Sequence, residues 1–371
     1  MKRILFIFGT RPEAIKMAPL IKELQSRKGR FDVKICVTGQ HKEMLYQVLD
    51  FFSIKPDYDL EVMKPNQTLF GVTAAIFNKL ESVIDEANPE IVLVQGDTTS
   101  VLVGAIGAFY KQIKIGHLEA GLRSGNMSSP FPEEMNRVLV SRITDYHFTP
   151  TERATSALLS EGVPRDNIYS VGNTVIDALL LGKSLIERDD KKYAEYFEGI
   201  DFTKRIILVT GHRRESFGDG FDGMCGAIKN IAINNPDVQV VYPVHLNPNV
   251  RRPVNEILSG IENIHLIEPL DYPYLIWLMN KSYLVLTDSG GIQEEAPTLG
   301  KPVLVMRNVT ERQEGVDAGT AMLVGTEGDV IYRETQRLID DTAAYEKMAN
   351  AINPYGDGTS SHQIADILER D

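Results

Sequence analysis

Residues 4–25 read ILFIFGTRPEAIKMAPLIKELQ, an apolar run that leads through a short turn into a helical pattern. The run ILFIF has the length of a buried strand, and uninterrupted apolar runs are typical of strands covered on both faces of a parallel sheet. Gly9 allows a tight turn, and Pro12 suits the first turn of the helix expected over residues 13–25. This stretch therefore predicts the opening strand–turn–helix unit of an α/β domain.

The same alternation continues along the chain. Further strands are predicted at VKICV (33–37), IVLVQ (91–95) and IKIGH (113–117), with helices over 41–52, 68–87 and 99–110. A second series follows, with RIILVT (205–210), VQVVYP (238–243), NIHLI (263–267), YLVLT (283–287) and PVLVM (302–306). Two consecutive series predict two Rossmann-like, doubly wound parallel-sheet domains. We expect domains over 1–172 and 173–355, and a terminal helix within 356–371 that packs back on the first domain.

Composition and charge restrict the class of function. Of the 371 residues, 43% are hydrophobic and 24% are charged, as is ordinary for a globular protein. The net charge of −12 argues against non-specific binding to nucleic acid or to an acidic membrane, because both need a broad positive field. The opening run is too short for a signal peptide, and the chain has no apolar stretch long enough for a membrane span. Cys36 and Cys225 are expected to be buried free thiols, and a cytoplasmic location is predicted.

Acidic side chains follow the predicted strands of the first domain. Asp97 comes shortly after IVLVQ, Glu119 comes shortly after IKIGH, and Glu133 precedes Arg137 by about one helical turn. Because ligands bind beyond the carboxyl ends of parallel strands, these carboxylates should meet at one edge of the sheet. Burial and like charges can raise a carboxyl pKa towards neutrality, so the three acids suit proton transfer. Asp97 alone could instead cap the next helix.

Groups suited to an anion follow other strands. Arg11 and Lys16 should stand near the positive end of the first helix, where a phosphate is favoured. The cationic run 212–214 follows RIILVT. After YLVLT, the backbone N–H groups of 289–291 could approach a pyrophosphate, with Glu295 about one turn into the helix for ribose hydroxyls. Solvated turns and a helix cap are the structural alternatives for these segments.

Two common cofactor patterns are rejected. Gly218, Gly220 and Gly223 match G-x-G-x-x-G, but the turn from the preceding strand is too long and no acid ends the next strand. The seven histidines are dispersed without metal-ligand spacing. His117 and His147 lie within predicted strands and are interpreted as core histidines. We expect neither NAD nor a metal.

Segments that span nearly the whole chain resemble the non-hydrolysing UDP-N-acetylglucosamine 2-epimerase family. They include FGTRPEAIKMAPL (8–20), QGDTTS (95–100), GHLEAGLRS (116–124), FPEEMNR (131–137), VTGHRRESFG (209–218) and TDSGGIQEEAP (287–297). The resemblance implies a glycosyltransferase-B-type architecture in which two domains face a cleft. It also implies reversible C2 epimerisation of UDP-N-acetylglucosamine to UDP-N-acetylmannosamine for cell-surface polysaccharides, by anti elimination of UDP through 2-acetamidoglucal and re-addition.

The resemblance also implies roles for individual residues. The catalytic set is Asp97, Glu119, Glu133, His212, Lys16 and Arg137, in which any of the three acids could be the base. The UDP-binding set is Arg11, Lys16, His212, Leu270, Tyr274, Ser289, Gly290, Gly291 and Glu295. An allosteric site for UDP-N-acetylglucosamine as activator would use Gln40, His41, Arg213 and His245, although Asn66 and Glu43 stand where some members carry Arg and Gln. No cofactor or metal is implied, and a homodimer is the expected oligomer.

Three alternatives fit the same architecture. The chain could transfer a sugar from a UDP-sugar, or it could be a hydrolysing epimerase that releases UDP and N-acetylmannosamine. It could also be a regulatory UDP-sugar-binding protein without turnover. Fold alone does not separate these functions. Three convergent carboxylates favour proton chemistry at C2 over simple transfer or binding, and a product assay distinguishes hydrolysis.

Overall fold

The structure, a computed structural model, describes residues 1–39, 42–64, 67–211 and 219–370. The chain forms two compact units, the first from Met1–Leu181 with Tyr355–Asp371 and the second from Gly182–Pro354. Each unit contains a parallel sheet flanked by helices. The predicted fold class of two doubly wound parallel-sheet domains is confirmed.

The first unit is built on a seven-stranded sheet within its described residues. Its strands are β1 (Lys2–Phe8), β2 (Phe31–Val37), β3 (Tyr58–Asp59), β4 (Ile91–Gln95), β5 (Lys114–Leu118), β6 (Tyr146–Thr149) and β7 (Ile168–Ser170). They lie in the order β3-β2-β1-β4-β5-β6-β7, and each pair is parallel. The order reverses between β1 and β4, and in such sheets ligands bind outside the carboxyl ends at that point.

Helices cover both faces of this sheet because their apolar sides meet its apolar strands. They are α1 (Arg11–Ser26), α2 (Lys42–Phe51), α3 (Leu69–Ala87), α4 (Thr99–Tyr110), α5 (Glu133–Ser141), α6 (Glu152–Ser160) and α7 (Thr174–Ile186), which begins in this unit. Leu5 and Ile7 of β1 share a buried core with Val92 and Val94 of β4 and with α3 and α4. Fully buried, apolar strands of this kind are what the sequence pattern predicted.

The second unit has a six-stranded sheet within its described residues. Its strands are β8 (Arg205–Thr210), β9 (Val238–Pro243), β10 (Ile264–Ile267), β11 (Leu284–Thr287), β12 (Val303–Val305) and β13 (Ala321–Leu323). Its helices are α8 (Asp190–Tyr196), α9 (Asp219–Asn234), α10 (Pro248–Leu258), α11 (Tyr272–Lys281), α12 (Gly290–Glu295), α13 (Gln313–Asp317), α14 (Gly328–Asp340) and α15 (Thr342–Ala349). The parallel order β10-β9-β8-β11-β12-β13 reverses between β8 and β11, which places a second crevice at their carboxyl ends.

The last helix of the described chain, α16 (Ser360–Arg370), belongs to the first unit and packs on α1. Lys2 Nζ donates to the Leu368 carbonyl at 2.6 Å, and the Arg27 guanidinium pairs with Asp366 at 2.6 Å. At the other end of α16, the Ser361 amide donates to the buried Asp177 carboxylate at 2.7 Å. The first unit therefore contains two segments of chain that are distant in sequence.

The glycines of the rejected dinucleotide pattern have a packing role where they are described. Gly220 and Gly223 lie inside α9 rather than in the turn between a strand and a helix. A Cβ on Gly223 would lie 3.3 Å from the Thr326 carbonyl oxygen, and a Cβ on Gly328 would lie 2.6 Å from the Gly223 carbonyl oxygen, so Gly223 and Gly328 let α9 and the start of α14 approach closely. Gly218 lies outside the described residues. Cys36 and Cys225 are buried free thiols, as predicted.

Candidate active site

Two of the predicted acids follow neighbouring strands at the carboxyl edge of the first sheet. Asp97 lies two residues after β4, and Glu119 directly follows β5. Gly96 stands beside them, because a Cβ at this glycine would lie 3.8 Å from Glu119 Oε2. The fold therefore brings the two turns together next to the point where the strand order reverses.

Three side chains hold the Glu119 carboxylate in place. Lys16 Nζ lies 2.5 Å from Glu119 Oε1, and Gln95 Nε2 donates to Oε2 at 2.5 Å. Asn173 Nδ2 donates to Oε1 at 3.3 Å. The Glu119 backbone has φ +61°, a left-handed conformation that is strained for a residue with a side chain and that clusters at functional sites. The structure thus brings together Lys16 and Glu119, two residues of the predicted catalytic set, and adds the amides of Gln95 and Asn173, which the sequence did not indicate.

The Asp97 carboxylate is paired with a cation and does not cap a helix. The N-cap of α4 is Thr98, whereas Asp97 Oδ2 lies 2.5 Å from the Arg137 guanidinium. Asn136 Nδ2 donates to the Asp97 carbonyl at 2.7 Å and fixes the turn from the side of α5. The interpretation of Asp97 as a helix cap is therefore wrong. The structure instead joins two residues of the predicted catalytic set, Asp97 and Arg137.

The two adjacent acids that begin α5 differ in their surroundings. Glu133, the predicted catalytic acid, is half-buried, whereas Glu134 is 2% exposed. Glu134 accepts hydrogen bonds from the Ser124 and Gly125 amides at 3.0 Å each and pairs with Arg137 at 3.1 Å. Burial alone would raise the pKa of Glu134, but these hydrogen bonds outweigh burial and hold the pKa below its ordinary value. Glu134 is therefore an anion that orients Arg137 and orders the preceding loop.

Two buried histidines lie on the strands beside the turn that carries Asp97. His117 on β5 stands in register with His147 on β6, and both are buried. His117 Nε2 lies 2.7 Å from the Gly96 carbonyl oxygen, and since that oxygen only accepts, Nε2 carries the proton. Burial lowers the pKa of His117 to about 4 and that of His147 to about 3, so both imidazoles are neutral at pH 7. The core interpretation is confirmed, and His117 also fixes the carbonyl that precedes Asp97.

The N-terminus of α1 is occupied by the protein's own carboxylate. Glu13 Oε2 accepts hydrogen bonds from the Gly9 amide at 2.8 Å and the Thr10 amide at 2.7 Å. A carboxylate in the first turn offsets the positive end of the helix. The attraction for an anion that we expected from this helix end is therefore reduced. The side chain of Arg11, the half-buried first residue of α1, remains the anion-binding group predicted there.

In the second unit, the predicted glycine turn follows β11. Ser289 is the N-cap of α12, whose first residues are Gly290 and Gly291. A Cβ on Gly290 would lie 3.4 Å from the guanidinium carbon of Arg312, whose Nε donates to the buried Glu294 at 2.7 Å. The glycine turn therefore has a guanidinium beside it that sequence reasoning missed, because Arg312 comes from a later loop. No local pattern marked Arg312, which is one cation in the charged segment 307–314.

The predicted ribose ligand is oriented by a tyrosine. Tyr272 Oη donates to Glu295 Oε1 at 2.7 Å, and both side chains are buried. Leu270 is buried just before α11, and the half-buried Tyr274 ring lies 4.3 Å from the Tyr196 ring of α8. The Tyr274 side chain is thus part of an aromatic cluster, and the uracil contact predicted for 270–274 concerns the backbone.

Several predicted residues lie outside the described part of the chain, namely Gln40, His41, Asn66, His212 and Arg213. Of the remaining activator-site positions, Glu43 and His245 are exposed, and His245 Nδ1 accepts from the Asn247 amide at 3.1 Å. Within the described ranges, no three His, Cys, Asp or Glu side chains are grouped so as to hold a metal ion. In the same ranges, no helix combines the length and apolar character that crossing a membrane requires.

Comparison with known proteins agrees with this arrangement. A family model described as UDP-N-acetylglucosamine 2-epimerase matches residues 22–369. The UDP-N-acetylglucosamine 2-epimerase of Escherichia coli K12 is 52% identical, over 99% of this chain and 98% of its own length. The crystal structure of UDP-GlcNAc 2-epimerase from Neisseria meningitidis bound to UDP-GlcNAc is 48% identical, with a TM-score of 0.91 and full coverage of both chains. The enzyme from Methanocaldococcus jannaschii in complex with UDP-GlcNAc and UDP is 32% identical, also with full coverage of both chains and a TM-score of 0.81. From its sequence, its fold and the residues at its sheet edges, this chain belongs to the UDP-N-acetylglucosamine 2-epimerase family.

Proposed function

We propose that this chain interconverts UDP-N-acetylglucosamine and UDP-N-acetylmannosamine by inverting C2, with UDP retained in the product. Beyond family membership, the arrangement of two carboxylates in the first unit supports this proposal. At the carboxyl edge of the first sheet, two carboxylates lie on adjacent turns and each is paired with a different cation, Asp97 with Arg137 and Glu119 with Lys16. Two oriented carboxylates suit a reaction in which one group removes a proton and another returns one.

The proposed chemistry is an elimination followed by an addition. A carboxylate removes the C2 proton while the C1–O bond to UDP breaks, which gives 2-acetamidoglucal, UDP and a protonated acid. Protonation of C2 on the opposite face and re-addition of UDP at C1 then give the epimer. We assign the proton transfers to Asp97, Glu119 and Glu133. Lys16 and Arg137 keep their partner carboxylates oriented, and Glu134 orients Arg137 in turn.

The C2 proton is only weakly acidic, so stabilisation of the leaving UDP is the second requirement. Charge-assisted hydrogen bonds to the diphosphate meet this requirement. We assign that role to Arg11, His212, Ser289, Gly290, Gly291 and Arg312. We assign the ribose to Glu295, which Tyr272 orients, and the uracil to the backbone of 270–274. By this proposal residues 1–172 carry the catalytic acids and residues 173–355 bind UDP.

Isotope exchange tests the proposal. UDP-N-acetylglucosamine is incubated with the protein in D2O, and proton NMR reads the products. We expect UDP-N-acetylmannosamine with deuterium at C2 and UDP still attached, without added NAD or metal. Full retention of protium at C2 would contradict the elimination, and accumulation of free N-acetylmannosamine would identify a hydrolysing enzyme instead.

Regulation by the substrate is a further part of the proposal. A second UDP-N-acetylglucosamine, bound by Gln40, His41, Arg213 and His245, would act as an activator. The support is the family resemblance, together with the exposed imidazole of His245. Initial rates should then be sigmoidal in UDP-N-acetylglucosamine, and the reverse reaction should need a small amount of it. Hyperbolic kinetics in both directions would contradict the activator.

Assembly and location complete the proposal. We propose a homodimer, since twofold dimers are the commonest closed assemblies, and sedimentation velocity measures the state directly. We propose a cytoplasmic location because Cys36 and Cys225 are both buried free thiols, the form that reducing compartments maintain. A monomeric sedimentation coefficient would contradict the homodimer.

A further inference from the structure

Glu13 is a buried acid to which the proposed reaction gives no role. It is the third residue of α1 and is 2% exposed. While its Oε2 accepts the Gly9 and Thr10 amides, its Oε1 accepts the Thr98 hydroxyl at 2.5 Å. Glu13 and Thr98 are 85 positions apart in sequence. One carboxylate therefore joins the β1–α1 turn to the β4–α4 turn.

Thr98 makes this contact but not the hydrogen bond that is usual for its position in the helix. It is the N-cap of α4, a position where a threonine hydroxyl normally accepts from an amide of its own helix. The Thr98 side chain makes no such bond. Thr151, in the same position after β6, does cap its helix by accepting from the Ala154 amide at 3.3 Å. The Thr98 hydroxyl therefore contacts Glu13 and does not cap α4.

The two turns joined by Glu13 flank the reversal in strand order. β1 and β4 are hydrogen-bonded neighbours, and the crevice outside their carboxyl ends is where such sheets bind ligands. Arg11 begins the helix after the first turn, and Asp97 precedes Thr98 in the second. Any movement of one turn against the other would change the distance between these two functional side chains.

Burial of the Glu13 carboxylate between the two turns costs desolvation free energy. Burial raises the pKa of Glu13, and the hydrogen bonds from Thr98, Gly9 and Thr10 oppose that shift. Where only packing is required, an apolar side chain fills a buried space at lower cost than an acid does. The hydrogen bonds that stabilise the buried Glu13 carboxylate are also the ones that join the two turns.

We propose that Glu13 is a positioning residue that holds the β1–α1 turn against the β4–α4 turn and so fixes Asp97 relative to Arg11. This inference rests on the proposed epimerase function. Loss of the link should slow the chemical step more than it weakens binding, because each turn keeps its own functional side chain. A misplacement of about 1 Å at a reacting centre can lower the rate by about 100-fold.

A substitution at Thr98 tests the link more selectively than one at Glu13, because it removes one hydroxyl and leaves the Glu13 cap on α1 intact. We expect Thr98→Val to lower kcat by about 10–100-fold while the UDP dissociation constant changes by less than about 3-fold. Thr98→Ser keeps a hydroxyl and should restore kcat to within about 3-fold of wild type. The double variant Glu13→Ala/Thr98→Val should be no slower than Glu13→Ala alone, since Glu13→Ala already removes the hydrogen bond that Thr98→Val deletes.

Thr151→Val is the matched control. It removes a helix cap of the same kind at the same sheet edge, so it should lower the melting temperature without lowering kcat. Three results would each overturn the inference: wild-type kcat in Thr98→Val, equal losses of kcat in Thr98→Val and Thr151→Val, or no recovery in Thr98→Ser.

The isotope-exchange assay on wild type separates this inference from the proposed function. If wild type fails to exchange the C2 proton, the epimerase proposal fails, and hydrogen exchange then tests the link by itself. Amides of 96–99 should exchange faster in Thr98→Val than in wild type if Glu13 holds the second turn. Unchanged exchange rates there would overturn the link whatever the protein catalyses.

Discussion

Lowering the pH from 7 to 5 should destabilise the first unit through His117 and His147. Burial lowers the pKa of His117 to about 4 and that of His147 to about 3, and an imidazole in the unfolded chain has a pKa of about 6.5. Between these values the unfolded chain binds a proton at each histidine and the folded chain does not. The stability from both groups is therefore fully present above about pH 6.5 and is lost as the pH falls towards about 4 and about 3.

The size of the effect follows from these pKa values. Within the window, each pH unit lowers the free energy of unfolding by up to about 1.4 kcal/mol for each group. About 1.5 units of the change from pH 7 to pH 5 fall inside the window, so each histidine contributes about 2 kcal/mol and the pair about 4 kcal/mol. Typical domains are stable by only about 5–15 kcal/mol, so the expected loss is large. Burial raises the pKa of the Glu13 and Asp177 carboxyls, whose contribution to the pH dependence therefore has the opposite sign.

Substitution isolates the histidine contribution from that of the carboxyls. Hydrogen exchange of β5 and β6 amides reports the first unit alone and gives its free energy of opening at both pH values. Between pH 7 and pH 5, His117→Gln and His147→Gln should each lose about 2 kcal/mol less than wild type. The same pH dependence in all three proteins would refute the assignment of two neutral buried imidazoles.

Two further predictions concern the site. The three proposed acids are removed one at a time in Asp97→Asn, Glu119→Gln and Glu133→Gln. Each variant should lower turnover by about 10²–10⁴-fold and leave the circular dichroism spectrum unchanged. Near-wild-type turnover in a variant would exclude that acid from the catalytic set. Tyr272→Phe should weaken UDP binding about tenfold in calorimetric titration, because it removes a hydrogen bond to the Glu295 carboxylate. A hydrogen bond to a charged group contributes about 1.5–3 kcal/mol, and the tenfold effect corresponds to the lower end of that range. Unchanged affinity in Tyr272→Phe would show that Glu295 needs no such support.

The parts of the fold that carry the site could be predicted because their signals are local. IVLVQ and RIILVT are apolar runs of strand length, and the observed strands β4 and β8 have the same bounds. Once the strands were located, the rule for parallel sheets placed Asp97 and Glu119 at one edge. The two-residue strand β3 and the three-residue strand β13 were missed, because runs that short have no periodicity to read.

The contacts inside the site could not be predicted, because they depend on chain segments that meet only in the folded unit. Gln95 and Asn173 look unremarkable locally, and each becomes a ligand of Glu119 only through the packing of β4, β5 and α7. Asp97 and Thr98 are both good helix caps by residue type, yet Asp97 pairs with Arg137 and the Thr98 hydroxyl donates to Glu13. The left-handed backbone of Glu119 has no sequence signal at all, since glycine and asparagine are the residues that favour it.

The return of α16 to the first unit has a consequence for synthesis on the ribosome. Residues 1–181 emerge first, but the unit stays incomplete until residues 355–371 have left the exit tunnel. Translation of the roughly 170 intervening residues takes about 9–35 s at about 5–20 residues per second. Throughout that interval the nascent chain exposes the α1 surface that α16 will cover, and Asp177 lacks the Ser361 amide. The first unit, although most of it is made first, therefore reaches its final contacts only after all residues of the second unit have been synthesised.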